Sequence, residues 1–297
     1  MRLCIETGGT TIRLAITDPK AAQQKLEDIH KIPNTTFEQV ESDILAYAQK
    51  YPGIAELGII SFGPIMLDKK SPDFGKLLTA PCEAKASWLN KSLAKEIGQK
   101  LGVGMENIHL TTDCTGSAMG ELYFGSHPNK SGTLVYITIG TGVGIGAVVD
   151  GQPIRGRLHP EGGHVLIQKD DREAQFPHFK GPCSKHRSCV ENMITNYAIA
   201  ERYKLNIDEL HTLSDDEPIW DMVGNYLAQL CLSITYILSP HNIVVGGGIL
   251  NRKSILPAAR KYFAAYNNDY VQLCDLENYI TESQVGENGL FGCAVLK

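Results

Sequence analysis

Two short stretches carry most of the reactive side chains in this chain. They are His159-Pro160-Glu161-Gly162-Gly163-His164 and Cys183-Ser184-Lys185-His186-Arg187-Ser188-Cys189-Val190-Glu191. The second is a Cys-x-x-His-x-x-Cys knot, and His164 adds an imidazole upstream of it. His164, Cys183, His186 and Cys189 together offer the number and softness of donors that a closed tetrahedral zinc site takes. Glu161 and Glu191 flank them, so a metal knot would hold two carboxylates and an imidazole in one polar pocket. The separation of His164 from Cys183 is not a zinc-finger spacing, which leaves His164 the least secure of the set. The other cysteines, at 4, 82, 114, 231, 274 and 293, are scattered without a pairing pattern and read as small buried apolar groups.

Three glycine-rich turns are candidates for phosphate and nucleotide contact: Gly8-Gly9-Thr10, Gly140-Thr141-Gly142 and Gly246-Gly247-Gly248. Glycine there lets backbone N–H groups approach an anion without interference from a Cβ. Each alone is equally compatible with a plain strand-to-strand turn. Neither a P-loop nor a G-x-G-x-x-G fingerprint is present. Asp113, at the end of a strand and the start of a helix, suits the carboxylate that accepts a proton from an attacking hydroxyl in phosphoryl transfer. Its plainer role is a helix cap. Glu6, beside the first glycine turn, suits an outer-shell contact to Mg²⁺, which retains several waters; its plainer role is an exposed strand-end charge.

The elements that must position these groups alternate. Leu3–Ile5 and Ile12–Ile16 read as two strands across the first glycine turn. Thr36 and Gln39 form a capping-box pair ahead of Phe37, Val40, Ile44 and Ala48 at helical spacing. Leu57–Ser61 is a strand, Leu89, Leu93, Ile97 and Leu101 recur as a helix, and Ile108–Thr111 is the next strand. Thr115–Phe124 reads as a helix, and Leu134–Ile139 and Ile145–Val149 as a strand pair. Helices follow at Glu191–Tyr203 and Pro218–Leu238, a strand at Ile243–Val245, and a C-terminal helix is introduced by residues 286–290. The alternation argues for an α/β architecture, with two related lobes around a cleft: residues 1–112 as the smaller lobe, joined again by a helix at 287–297, and 113–286 as the larger, with the zinc loop at 164–191.

Composition bounds the partners. The chain has 297 residues, 43% of them apolar and 21% charged, enough core for two lobes. A formal charge of −5 argues against a nucleic-acid partner, which calls for a basic face. The uncharged runs Gly132–Val149 and Met222–Asn251 are interrupted by glycine or by polar residues and proline, so no membrane partner is expected. The N-terminal residues lack the apolar core of a signal peptide, and free thiols in the knot fit a reducing cytoplasm.

Taken in order, the motifs resemble those of the ROK family of repressors, open reading frames and sugar kinases. Glu6-Thr7-Gly8-Gly9-Thr10 is similar to that family's first phosphate motif, Gly140-Thr141-Gly142-Val143-Gly144 to its second, and Gly246-Gly247-Gly248-Ile249 to its adenosine motif. Glu161-Gly162-Gly163-His164 resembles its E-x-G-H signature and Cys189-Val190-Glu191 the end of its zinc loop. The likeness runs end to end. His159-Pro160, Thr112 before Asp113, and the Cys-x-x-His-x-x-Cys loop are closest to the fructokinase-type branch.

The resemblance implies a two-lobed, actin-like (ribonuclease-H-like) α/β fold and an ATP-dependent kinase making fructose 6-phosphate. It implies Asp113 as general base, Glu161, His164 and Glu191 as sugar contacts, and the three glycine turns as ATP contacts. It further implies Mg²⁺ travelling with ATP, a structural Zn²⁺ on His164, Cys183, His186 and Cys189, and a homodimer. Thr11 in place of the usual lysine, Thr115-Gly116-Ser117 after Asp113, and the Lys169–Lys180 insert depart from the pattern and bear on efficiency and sugar preference. The rival readings are the same chemistry on mannose, glucose or N-acetylmannosamine, or a sugar-sensing transcription regulator. The regulator is disfavoured because no helix-turn-helix precedes Glu6.

Overall fold

The computed structural model describes residues 1–21, 24–80, 83–127, 129–156, 158, 160–273 and 275–297. Cys82, Cys274 and His159, which entered the expectations above, lie outside the described residues. The chain divides into two units. The first holds Met1–Ser131, Gly146–Pro160 and Gln284–Lys297, and the second holds Gly132–Ile145 and Glu161–Ser283.

In the first unit, β1 (Arg2–Thr7), β2 (Thr11–Thr17) and β3 (Glu27–Pro33) form an antiparallel run. α1 (Phe37–Ala48) leads to β4 (Glu56–Ser61), and α2 (Leu93–Leu101) leads to β5 (Ile108–Thr112). Both strands are added in parallel, so the sheet order is β3-β2-β1-β4-β5. Period-two alternation sends Leu3, Ile5, Ile12 and Leu14 into one core with Phe37, Val40, Ile44 and Ile97. Thr36 caps α1 by accepting from Gln39 N, but the Gln39 side chain donates onward to Asp43, so only half of the expected box forms. Ser92 caps α2, which leaves Leu89 ahead of the helix. β5 passes directly into α3 (Asp113–Phe124).

In the second unit, β6 (Leu134–Ile139) is followed by β7 (Val143–Val149), along which the chain re-enters the first unit, and by β8 (Gln152–Pro153). The helix expected over Glu191–Tyr203 is two helices, α4 (Val190–Ile194) and α5 (Asn196–Tyr203), because Thr195 is extended at ψ 162°. Its hydroxyl accepts from Ala198 N to cap α5. α6 (Pro218–Leu238) carries proline in its first turn, where a missing N–H costs nothing. β9 (Asn242–Gly246), α7 (Ile255–Asn267), α8 (Leu276–Tyr279) and β10 (Ile280–Glu282) complete the unit. β6, β9 and β10 are parallel neighbours within the sheet order β10-β9-β6-β7-β8.

α9 (Asn288–Val295) belongs to the first unit and packs along α3 and against β1. The expected boundary between Thr112 and Asp113 therefore falls inside the first unit. Among the described residues, no helix is long and apolar enough to cross a membrane.

Candidate active site and metal centre

The first glycine turn closes the β1–β2 hairpin. Gly8 N donates to Thr11 O at 2.9 Å, and the Asn34 side chain donates to Gly8 O at 2.7 Å, fixing the turn from β3's end. Gly9 and Thr10 are exposed, and a side chain at Gly9 would meet nothing within 4 Å. The turn is thus both a hairpin and an open rim of backbone.

Glu6 stands at the end of β1 but is not an exposed strand-end charge: its side chain is only 16% exposed. Arg13 Nη1 donates to Glu6 Oε1 at 3.2 Å and pairs through Nε with Glu287 at 2.8 Å. Glu6 Oε2 is buried and, among the described residues, has no hydrogen-bond partner. Burial pushes the Glu6 carboxyl above the usual carboxylate range; Arg13 pulls it back, and Glu287 and Asp113 push it further up. A buried carboxylate oxygen without a donor is the kind of group a hydrated cation satisfies.

Asp113 is the first residue of α3, yet the capping duty falls to its neighbour. Thr112 Oγ1 accepts from Thr115 N at 3.3 Å. Asp113 is half-buried, and its Oδ1 accepts from Cys114 N at 2.7 Å. That contact uses Oδ1 and leaves Oδ2 outside the cap.

In the second unit, the turn Gly140-Thr141-Gly142 is held at both ends. Asn196 N donates to Gly140 O at 3.0 Å, and Val143 N donates to Glu191 Oε2 at 3.1 Å. Glu191 also lies 3.9 Å from His164 Nε2, within charge–charge reach though longer than a hydrogen bond. Gly163 passes against β7, where a Cβ would stand 2.1 Å from Val143 O. His164 and Glu191 are thereby brought onto the second glycine turn. Glu161 opens the 3-10 turn Gly162–His164, accepts from His164 N through its backbone at 3.0 Å, and is exposed.

His164, Cys183, His186 and Cys189 converge, with their ligand atoms all within 4.8 Å of one another. His164 Nδ1 lies 3.9 Å from Cys183 Sγ and 3.6 Å from Cys189 Sγ, and His186 Nδ1 lies 3.6 Å from Cys183 Sγ. Metal–sulfur and metal–nitrogen bonds of ~2.3 and ~2.0–2.1 Å at tetrahedral angles give sulfur–nitrogen edges of ~3.6 Å. The cluster thus fits zinc in donor type, number and separation. Burial, with Cys183 beside it, pushes the Cys189 thiol up to about 11, so taking up a metal here would release a proton.

The third turn follows β9. Gly247 has φ +96°, and a Cβ there would stand 2.2 Å from Ile139 O, so backbone approaches backbone where only glycine fits. Gly248 lines a cavity of about 420 Å³ with Asn196, Leu210, Trp220 and Arg252. The Arg252 guanidinium lies 4.8 Å from the Trp220 ring centroid and pairs with Asp215. Asn34, Arg13, Asn196, Trp220 and Arg252 were not singled out in the sequence. Each is an ordinary polar or aromatic residue without motif context, and only the three-dimensional arrangement gives it a partner.

Comparison with known proteins adds lineage to this geometry. The model of the ROK family matches residues 2–297. A fructokinase from Zymomonas mobilis subsp. mobilis is 33% identical, covering 99% of this chain and 95% of its own length. A fructokinase from Lactococcus lactis subsp. cremoris is 34% identical over 96% of this chain and 92% of its own. The crystal structure of a ROK hexokinase from Thermus thermophilus superposes with a TM-score of 0.76 at 18% identity, covering 99% of this chain and 96% of that one.

Proposed function

The chain belongs to the ROK family, and on that footing we propose that it is an ATP-dependent sugar kinase that converts fructose to fructose 6-phosphate. The observation that carries this reading is the double engagement of Glu191. One carboxylate accepts from the backbone of the second glycine turn and faces the imidazole of the metal cluster. A phosphate-type turn and a sugar-type polar pocket are thereby tied together. The fructokinase relatives support fructose as the acceptor.

In this mechanism Asp113, relieved of capping by Thr112, takes the proton from the 6-hydroxyl as its oxygen attacks the γ-phosphorus in line. The new O–P bond forms as the bond to the β-phosphate bridging oxygen breaks, and ADP leaves. Glu161, His164 and Glu191 hold the other sugar hydroxyls. Gly8-Gly9-Thr10 and Gly140-Thr141-Gly142 present backbone N–H groups to phosphates, and Gly246-Gly247-Gly248 meets the adenosine. Mg²⁺, when bound, supplies charge neutralisation on the phosphates, and Glu6 would hold its waters through the donor-less Oε2. Zn²⁺ on His164, Cys183, His186 and Cys189 would be structural, since all four positions of a tetrahedron come from protein. The enzyme works as a homodimer in a reducing cytoplasm, where the sulfurs of the cluster escape disulfide formation.

Incubation with Mg²⁺–ATP and fructose, followed by ³¹P NMR, tests the reading: a 6-phosphate ester and equimolar ADP are expected. No ADP formation with any hexose would overturn it.

A further inference from the structure

Asn192 is fully buried in α4, three residues after Cys189. Its Oδ1 accepts from Cys183 N at 2.8 Å, and its Nδ2 donates to Lys180 O at 3.0 Å and to Arg187 O at 3.1 Å. Its own backbone N–H points to Cys189 Sγ at 3.4 Å. One side-chain amide therefore ties together the entrance of the ligand loop, the first thiol-bearing residue and the last turn before the second thiol. Both amide hydrogens and the carbonyl are used.

The approach to the loop is anchored separately. Lys180 N and Gly181 N both donate to the Glu201 carboxylate at 2.9 Å. Gly181 has φ +79°, and a Cβ there would lie 2.3 Å from Asn192 Oδ1, so the chain must pass bare against the amide. Phe179 stacks on the Arg202 guanidinium at 3.7 Å, and Arg202 pairs with Glu173 at 2.6 Å. The 169–180 insert is bolted to α5 by these contacts.

We propose that Asn192, backed by Glu201, is a positioning residue that holds the Cys183–Cys189 loop in ligand geometry before any metal arrives. Small zinc sites commonly order only when the metal binds, because nothing else offsets the entropy of fixing the loop. Here hydrogen bonds within the protein meet that cost in advance, so the metal meets a preformed set of donors. This rests on the zinc reading given above, and it assigns the insert a task.

The test uses the full chain, stripped of metal with a strong chelator and then exposed briefly to trypsin. Lys185 and Arg187 are exposed within the loop and report on its order. Metal-free wild type is expected to be cut at these two bonds about as slowly as the zinc-loaded protein. Asn192→Asp, which loses both N–H donors, should be cut faster there. It should also bind zinc roughly 10–100-fold more weakly in competition with a chromophoric chelator. Glu201→Gln should shift both readouts the same way by less, and it carries the test if Asn192→Asp fails to fold. Rapid cleavage of metal-free wild type, or unchanged zinc affinity in both variants, overturns the proposal. A wild type that binds no zinc would remove the metal reading, and cleavage rates alone would then decide the clamp.

Discussion

At the scale of single residues, the division of labour between Thr112 and Asp113 matters most. A carboxylate in the first turn of a helix ordinarily satisfies backbone N–H groups, and that use competes with proton transfer. Thr112 meets Thr115 N, so exchanging Asp113 for its amide should leave the helix start in place. Asp113→Asn is expected to lower kcat by ~10²–10⁴-fold, with ATP and sugar affinities largely kept. Calorimetric titration beside steady-state kinetics separates the two, and near-normal kcat would put the base elsewhere. His109 offers a second residue-scale outcome. Burial, with Arg2, Lys69 and Arg155 nearby, holds its imidazole down to about 4, below the ordinary ~6.5. The unfolded chain therefore binds the proton first. The contribution to stability is complete above pH ~6.5 and is lost as pH falls towards 4. Partial exposure and solvent screening trim it to ~1–2 kcal/mol. Urea midpoints should fall over that window in wild type and stay flatter in His109→Leu; parallel curves would remove His109 as the cause.

At the scale of elements, the α3–α9 pair is packed backbone to backbone. A Cβ on Gly120 would stand 1.9 Å from Asn288 O, and one on Gly292 would stand 2.0 Å from Gly116 O. Because carbonyls cannot yield as a flexible side chain can, Gly120→Ala is expected at the upper end of the ~1–3 kcal/mol cost of overpacking. Urea unfolding measures it, and a change under about 0.5 kcal/mol would contradict so close a contact. Legibility followed the same physics. Leu134–Ile139 and Pro218–Leu238 were readable end to end because apolar runs and a leading proline mark them. β3 was missed because Glu27–Pro33 is an edge strand exposed almost throughout, with no alternation to detect. The break at Thr195 was missed because one extended residue leaves the helical spacing nearly intact. α7 and β10 went unread: the first buries Ile255, Leu256, Ala259 and Phe263 at helical spacing, a stripe open to a sequence reading, and the second is only three residues long. Within the site, the four donors of the cluster stand out as residue types. Asn34 and Asn192 do not, because a polar side chain that serves backbone leaves no pattern in the sequence.

At the scale of the molecule, the cluster should make metal content and stability rise and fall together. One zinc per chain is expected by elemental analysis of protein purified without chelator. Cys183→Ser should lower Tm and sugar affinity together, since it removes the metal that would tie His164 to the loop. Protein without zinc would remove that link, whereas full activity after zinc removal would remove only the bracing of the pocket. The choice of sugar rests on the whole assembly of groups. A pocket of carboxylates and an imidazole discriminates by which hydroxyls it leaves unpaired, and such mismatches are costly when buried. The most direct measurement is kcat/KM for fructose, mannose and glucose with Mg²⁺–ATP, read as ADP release. Fructose is expected to lead, mannose to follow and glucose to be poorest; a clear preference for glucose or mannose would contradict fructose as the acceptor.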